Sequence, residues 1–142
     1  MKKALIFTAF LLILSSCSDN DELRNNPYLP DLNFRFQIDL NLPQYNNLNF
    51  PGNFFIHYNY GMNGVVIYNL NNSQFLAFEL TDPSHVPSSC SILEVNGIEA
   101  SCNCDDGNTY SIITGQLLKG QGQYTLKPYR VNRVGNVLEI SN

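Results

Sequence analysis

The chain has 142 residues and a formal net charge of −4, with eight Lys and Arg residues against twelve Asp and Glu residues. The basic residues are scattered and form no stripe, so nucleic-acid binding is disfavoured. This length is sufficient for one domain with a hydrophobic core.

The first seventeen residues, MKKALIFTAFLLILSSC, have the pattern of an export signal. Lys2 and Lys3 form a short positive region, and residues 4–14 are apolar except for Thr8. A membrane-spanning helix needs about 20 apolar residues, so this run is too short to span a bilayer. A run of this length after a positive region is typical of a signal peptide that is removed on export.

The end of the apolar run carries a second motif, Leu14-Ser15-Ser16-Cys17. It resembles the bacterial lipobox, in which lipid is attached to the cysteine and the chain is cut just before it. We therefore expect residues 1–16 to be a lipoprotein signal peptide and the lipid on Cys17 to anchor the protein in the membrane. There is no second apolar run, so the lipid would be the only anchor. The remaining 126 residues would carry a net charge of about −6.

The residues after Cys17 are polar and acidic and contain proline, so residues 17–31 are predicted to form a flexible tether. Ser18 does not resemble the aspartate signal that keeps many lipoproteins on the inner membrane. The acidic residues in positions 19–22 are similar to a short signal that some Gram-negative bacteria use to move lipoproteins to the surface, although an acidic tether is also simply soluble. We expect an outer-membrane protein that faces the periplasm or the cell surface.

From residue 32 onwards the sequence predicts strand after strand. Apolar residues alternate strictly with polar ones over residues 32–42, which places every apolar side chain on one face of a half-buried strand. Further strands are predicted at 54–58, 65–70, 75–80, 92–95, 98–102, 109–113, 124–131 and 137–140. No convincing helical period is present, so residues 32–142 are predicted to form an all-β antiparallel sandwich or small barrel of eight to ten strands.

Turn residues support this division. Asn96-Gly97 is a strong hairpin signal because both residues tolerate positive φ, and residues 71–74 join two further strands in the same way. Pro128 lacks an amide N–H, which predicts that its strand lies at a sheet edge or carries a bulge there.

Three cysteines fall in the predicted domain: Cys90, Cys102 and Cys104. Export would place them in an oxidising compartment, where disulfides persist. Because their number is odd, one bridge forms at most and one thiol remains. His85 and Cys90 precede the Asn-Gly hairpin and the other two cysteines follow it, so we expect the two loops to meet at one tip of the domain.

The chain resembles the Rieske iron–sulfur family over residues 32–140. The segment FLAFELTDPSH is similar to the strand that enters the first cluster loop of that family, and CNCDDG is similar to the second loop, usually written C-P-C-H-G. The segment YSIITGQLLKGQGQYTLKPYRV is similar to the run that closes the domain. The resemblance implies a small antiparallel β-domain in which two loops hold a [2Fe–2S] cluster with two Cys and two His ligands.

The first loop departs from this pattern, in which a Cys and a His are separated by one residue. If His85 fills the His position, the Cys position holds Pro83. If Asp82 instead fills the Cys position, the His position holds Ser84. Neither proline nor aspartate supplies a soft thiolate.

The second loop departs as well. Its ligand Cys corresponds to Cys102, but its ligand His falls on Asp105, which offers a hard oxygen where a neutral imidazole is needed. At most two of the four ligands, His85 and Cys102, are kept. The expected cofactor is therefore none, with [2Fe–2S] as the alternative that the family implies.

Rieske loops often carry a disulfide that joins one loop to the other. Cys104 corresponds to the second bridging Cys of the family, and Cys90, a few residues past the usual place, is the available partner. This bridge would close a loop of about 15 residues and contribute about 3 kcal/mol in the chain-entropy model. A Cys90–Cys102 pairing is the alternative.

Other chemistry has weaker support. A zinc site of His85, Cys102, Cys104 and Asp105 is disfavoured, because Cys-x-Cys lacks the usual two-residue spacer and the compartment favours disulfides. No third group orients a Cys–His pair, and the adjacent carboxylates of Asp105 and Asp106 have no partner acid. We therefore predict no metal, no catalytic residue and no enzymatic activity.

Two functions agree with this reading. The first is a membrane-anchored lipoprotein whose Rieske-like domain lacks the cluster and acts as a binding or structural module for an unidentified protein partner. The second is an electron-transfer protein whose [2Fe–2S] cluster has atypical ligands. Fold alone does not decide between them.

Overall fold

Ten antiparallel strands in two sheets make up the fold in the computed structural model, which describes residues 26–142. In chain order they are β1 (Arg35–Asp39), β2 (Phe54–His57), β3 (Val65–Asn69), β4 (Phe75–Glu79), β5 (Glu94–Asn96), β6 (Glu99–Ser101), β7 (Thr109–Ser111), β8 (Leu117–Lys119), β9 (Pro128–Val134) and β10 (Val137–Ser141). Two 3-10 helices of the described residues span Pro43–Asn49 and Ser89–Ser91. One sheet has the order β1-β10-β9-β4-β3-β2 and the other the order β5-β6-β7-β8. The predicted all-β antiparallel class is confirmed.

The sequence predictions nearest the amino terminus fall outside this description. They are the signal peptide (residues 1–16), the lipid on Cys17 and the tether as far as residue 25. In the part of the chain that is described, neither helix has the length and apolar character needed to cross a bilayer.

Residues 26–31, which the sequence analysis placed in the tether, contact the domain. Leu29 is only 5% exposed, and the Lys127 ammonium lies 2.6 Å from a carboxylate oxygen of Asp31. The Asn26 side-chain amide donates to the Pro83 carbonyl at 2.8 Å. These contacts extend the packed part of the chain six residues ahead of residue 32.

The inner strand β3, next to the edge strand β2, is buried on both faces, which explains its continuous apolar run. Val65 and Ile67 point into a core enclosed by the six-stranded sheet. Val66 and Tyr68 point the other way, into a second core shared with residues of the four-stranded sheet such as Tyr110. Successive side chains of a strand alternate between faces, so one strand supplies both cores.

The six-stranded sheet curls until its two edge strands meet. Phe36 of β1 stacks on Tyr60, which follows β2, with ring centroids 4.1 Å apart, and it also lies 4.9 Å from the His57 ring. Phe36 is one of the apolar residues in the strict alternation of residues 32–42. The inward-facing side chain of Phe36 therefore joins the two edge strands and covers the first core.

Two local predictions need correction. Pro128 is not on an edge strand: it is the first residue of β9, an inner strand, and it pairs with Phe78 of β4. The first residue of a strand can be proline because the hydrogen bonds between the strands need no amide N–H there. The pairing of β9 with β4 is continued by the preceding residue, since the Lys127 carbonyl accepts from the Glu79 N–H. The Asn-Gly hairpin forms, but Asn96 pairs with Glu99, so the turn residues are Gly97, with φ +61°, and Ile98.

Candidate functional site

Two loops meet at one end of the four-stranded sheet, as the sequence predicted. The first follows β4, and a bridge between Thr81 and Ile92 closes its base. The second connects β6 to β7, and a hydrogen bond from the Cys102 N–H to the Asn108 carbonyl closes it at 2.8 Å. Short closed loops on a sheet hold their side chains in defined places, which is what a site requires.

A disulfide joins the two loops. The structure pairs Cys90 with Cys104, with an S–S distance of 2.07 Å, and leaves Cys102 unpaired and buried. This is the pairing that the Rieske resemblance implies, and the alternative Cys90–Cys102 pairing does not form. Among the described residues, Cys102 therefore holds the only free thiol.

Four side chains with metal-ligating atoms converge beside the disulfide: Asp82, His85, Cys102 and Asp106. The His85 Nε2 lies 3.4 Å from the Cys102 Sγ, 3.2 Å from a carboxylate oxygen of Asp106 and 3.7 Å from one of Asp82. All four ligating atoms lie within 4.8 Å of one another. Asp105 does not belong to this group and is exposed, so the second loop contributes its next residue, Asp106.

Asp82 is fully buried but well hydrogen-bonded. One carboxylate oxygen accepts from the Tyr110 hydroxyl at 3.0 Å and from the Ser84 N–H at 2.7 Å. The other accepts from the Asn108 side-chain amide at 3.2 Å. Burial of an ionised carboxylate is costly unless donors surround it, so these contacts both permit the buried charge and fix its position.

Asn108 holds the two carboxylates in place. Its amide nitrogen donates to Asp106 at 2.9 Å as well as to Asp82, while its amide oxygen accepts from the N–H groups of Gln121 and Gly122, both at 3.0 Å. Sequence reasoning missed this residue. Its place directly after the Asp-Asp-Gly turn was the one available signal.

His85 presents a defined nitrogen to the group. Its Nδ1 lies 3.0 Å from the Val86 carbonyl oxygen, which can only accept. In the neutral tautomer that donates from Nδ1 to this carbonyl, Nε2 has the free lone pair. Nε2 is the atom that faces Cys102 and the carboxylates.

The free thiol is held in its protonated form. Burial is the largest of several effects that together raise the pKa of Cys102 to about 12; the Cys104 N–H opposes it, and Asp82 and then Asp106 add to the rise. A thiol that stays protonated at neutral pH is a poor nucleophile. The site therefore does not support Cys–His nucleophilic catalysis in the absence of another group.

These residues do not fit a [2Fe–2S] cluster with Rieske ligands. Such a cluster requires two thiolates and two imidazoles. The described residues offer one free thiol, Cys102, because Cys90 and Cys104 are bridged. They offer one imidazole, since His57 lies on β2 and packs against Phe36, away from the loops.

No protein-family model and no curated protein matches the chain. Among solved structures it is similar to a chain in the complex of reduced oxygenase and oxidized ferredoxin in carbazole 1,9a-dioxygenase, with 21% identity over 64% of this chain and 82% of that chain (TM-score 0.46). It is also similar to the plasma membrane Rieske protein PetC3 from the cyanobacterium Synechocystis, with 24% identity over 56% of this chain and 77% of that chain (TM-score 0.46). A third similar structure is the ferredoxin of carbazole 1,9a-dioxygenase from Nocardioides aromaticivorans, with 14% identity over 63% of this chain and 85% of that chain (TM-score 0.45).

The descriptions of two of these structures name a ferredoxin, and the description of PetC3 names a Rieske protein. With TM-scores of 0.45 and 0.46, these similarities assign no role to this chain. The roles of individual residues rest on the distances and burial within this chain.

Proposed function

We propose that this protein is an outer-membrane lipoprotein whose Rieske-like domain carries no [2Fe–2S] cluster and works as a binding or structural module. The observation that supports this proposal is the pairing of the loop cysteines in a disulfide. Two of the three are joined in the disulfide, so one thiol remains where the cluster needs two. Beside His85 and Cys102, the group offers only the hard carboxylate oxygens of Asp82 and Asp106.

The anchor rests on the sequence pattern that ends at Cys17. Between that residue and Asn26, where contacts with the domain begin, eight residues remain. A segment of this length reaches at most about 30 Å when fully extended. The domain would therefore stay close to the bilayer, and since Asn26 contacts Pro83, the chain would leave the domain beside the first loop of the site.

The test of the missing cluster uses the full chain, expressed with its own signal in iron-replete cells and purified without reductant. We expect a colourless protein with neither iron nor acid-labile sulfide. A brown protein with a reducible paramagnetic centre would instead establish the electron-transfer alternative. Mass spectrometry without reductant checks on the same sample that Cys90 and Cys104 are bridged.

The test of the anchor compares Cys17→Ala with Cys102→Ser. We expect labelled fatty acid to be incorporated into the parent and into C102S, and into C17A not at all, because the lipid is attached to the thiol of residue 17. Fractionation should place the parent in the outer membrane, and protease treatment of intact cells distinguishes the surface from the periplasmic side. Recovery of the labelled parent in the inner membrane would contradict the proposed location.

A further inference from the structure

We propose that Asp82, His85, Cys102 and Asp106 bind a single zinc ion at the place where a Rieske domain holds its cluster. This inference rests on the proposed absence of the cluster. It also revises the sequence-based expectation of no metal, which considered Cys104 and Asp105 as ligands in place of Asp82 and Asp106.

The spacing of the ligating atoms suits one ion. In a tetrahedral zinc site with metal–ligand distances of about 2.0–2.3 Å, neighbouring ligand atoms lie about 3.3–3.8 Å apart. The three distances from the His85 Nε2 are 3.2 Å to Asp106, 3.4 Å to Cys102 and 3.7 Å to Asp82. The remaining pairs are within 4.8 Å, so a shift of less than about 1 Å closes the set around a metal.

The donor set also suits zinc. One imidazole nitrogen, one thiolate and two carboxylate oxygens are all ordinary zinc ligands, and zinc accepts a mixed tetrahedral set. Calcium and magnesium prefer oxygen ligands alone, and the sulfur and nitrogen donors disfavour them. On binding, Cys102 gives up its S–H proton to solvent and becomes the thiolate ligand.

Hydrogen bonds from surrounding residues orient all four ligands. The Val86 carbonyl accepts from the His85 Nδ1, which leaves Nε2 free for a metal. The Tyr110 hydroxyl and the Asn108 amide orient Asp82, and the same amide orients Asp106. The Cys104 N–H points at the Cys102 Sγ from 3.4 Å, a contact that favours a thiolate.

The site has one open side through which an ion can enter. Asp82 and Cys102 are buried, whereas the side chains of His85 and Asp106 are 27% and 28% exposed. The ligands come from both loops, two from each. A bound ion would therefore join the loops a second time, beside the Cys90–Cys104 disulfide.

The experiment uses the full chain purified without reductant and shown to lack iron and sulfide. We expect one zinc per chain to remain after dialysis against buffer without chelator. Cobalt(II) added after chelator treatment should give the intense visible bands of a tetrahedral site and a thiolate-to-cobalt charge-transfer band. The charge-transfer band should disappear in Cys102→Ser.

Matched variants assign the ligands. Asp106→Asn is expected to weaken zinc binding by at least about tenfold, while its neighbour Asp105→Asn, outside the set, changes it by less than about threefold. His85→Gln should weaken binding in the same way, and His57→Gln should not. Asp106 and Asp105 both lie on the surface loop, so the comparison holds even if a buried variant such as C102S fails to fold.

The outcomes separate this inference from the proposed function. A protein that contains iron and sulfide overturns both. A colourless protein that binds no zinc, or that loses zinc equally in the Asp105 and Asp106 variants, overturns only the zinc site. In that case the contacts of His85 with Asp82 and Asp106 are structural, and D106N changes stability with no effect on metal content.

Discussion

At the residue scale, the hydrogen bonds of buried polar groups determine most of the precise geometry. Glu79 of β4 is buried, and its carboxylate accepts from Tyr129 at 2.6 Å, from Thr81 at 2.7 Å and from two backbone N–H groups after β2. This contact network links β4, β9 and the turn of residues 61–64. Gly61 in that turn has φ +74°, and a side chain there would collide with the Glu79 carboxylate.

Tyr129→Phe should destabilise the protein by about 1–3 kcal/mol, because the buried Glu79 carboxylate loses one of its donors while the packing is nearly unchanged. Urea unfolding measures the loss. Tyr58→Phe is the control, since Tyr58 is exposed and its hydroxyl makes no hydrogen bond within residues 26–142. Equal stability of Y129F and the parent would contradict the role given to this contact.

Alkaline pH should destabilise the fold through the same tyrosine. Burial raises the pKa of Tyr129, and the hydrogen bond to Glu79 and its charge raise it further; burial also raises the pKa of Tyr110. The unfolded chain loses these protons near the ordinary tyrosine pKa of 10.0, whereas the folded chain keeps them. The unfolded state then binds fewer protons, so the contribution of these tyrosines to the free energy of unfolding is constant below about pH 10 and falls above it.

Urea unfolding at a series of alkaline pH values, together with the ultraviolet absorbance of tyrosinate, checks this dependence. In Y129F the free energy of unfolding should fall less steeply with rising pH than in the parent. A free energy of unfolding that rises with pH in this range would contradict the assignment.

At the element scale, the alternation of apolar and polar residues and the turn residues indicate where strands lie along the chain. Which strands pair with each other depends on contacts between residues that are far apart in the sequence. Residues 32–42 alternate, and the inward residues Phe36 and Ile38 of β1 are buried as expected. The short strand β8 has no such alternation, and it forms because Leu117 pairs with Tyr110 of β7. Local patterns cannot specify that contact.

Removal of the disulfide should cost about 3 kcal/mol in the chain-entropy model, since the bridge closes a loop with a sequence separation of 14. The change is the double variant Cys90→Ser/Cys104→Ser, and urea unfolding measures it. Reductant should destabilise the parent and leave the double variant unchanged. If reductant left the free energy of unfolding of the parent unchanged, the stabilising role of the Cys90–Cys104 bridge would be contradicted.

At the scale of the whole molecule, the packed region begins ahead of the first strand. The side-chain oxygen of Asn26 accepts from the N–H groups of Tyr28 and Leu29, which turns the chain so that Leu29 is buried. Tyr28 lies edge-to-face on Tyr124 with ring centroids 6.2 Å apart. These contacts attach the start of the domain next to the first loop of the site.

Leu29→Ala tests whether this segment belongs to the domain. We expect a loss of about 2–3 kcal/mol in the free energy of unfolding, as for other buried leucines. Leu118→Ala on the half-exposed strand β8 is the control, with an expected change below about 0.5 kcal/mol. No loss in L29A would instead show residues 26–31 to be a tether in solution.

The sequence alone determined the strand character of the domain, the one-bridge limit on its three cysteines and the convergence of two loops on one tip. The strand character follows from the alternation of neighbouring residues, and the limit of one bridge follows from the odd number of cysteines. The convergence of the loops follows from the single hairpin between them. Only the tertiary structure decided that Asp106 and not Asp105 faces His85 and Cys102, and that Asn108 orients both site carboxylates. The direction of a loop side chain depends on contacts with residues far along the chain, such as Asp82 and Gln121, and no local pattern encodes them.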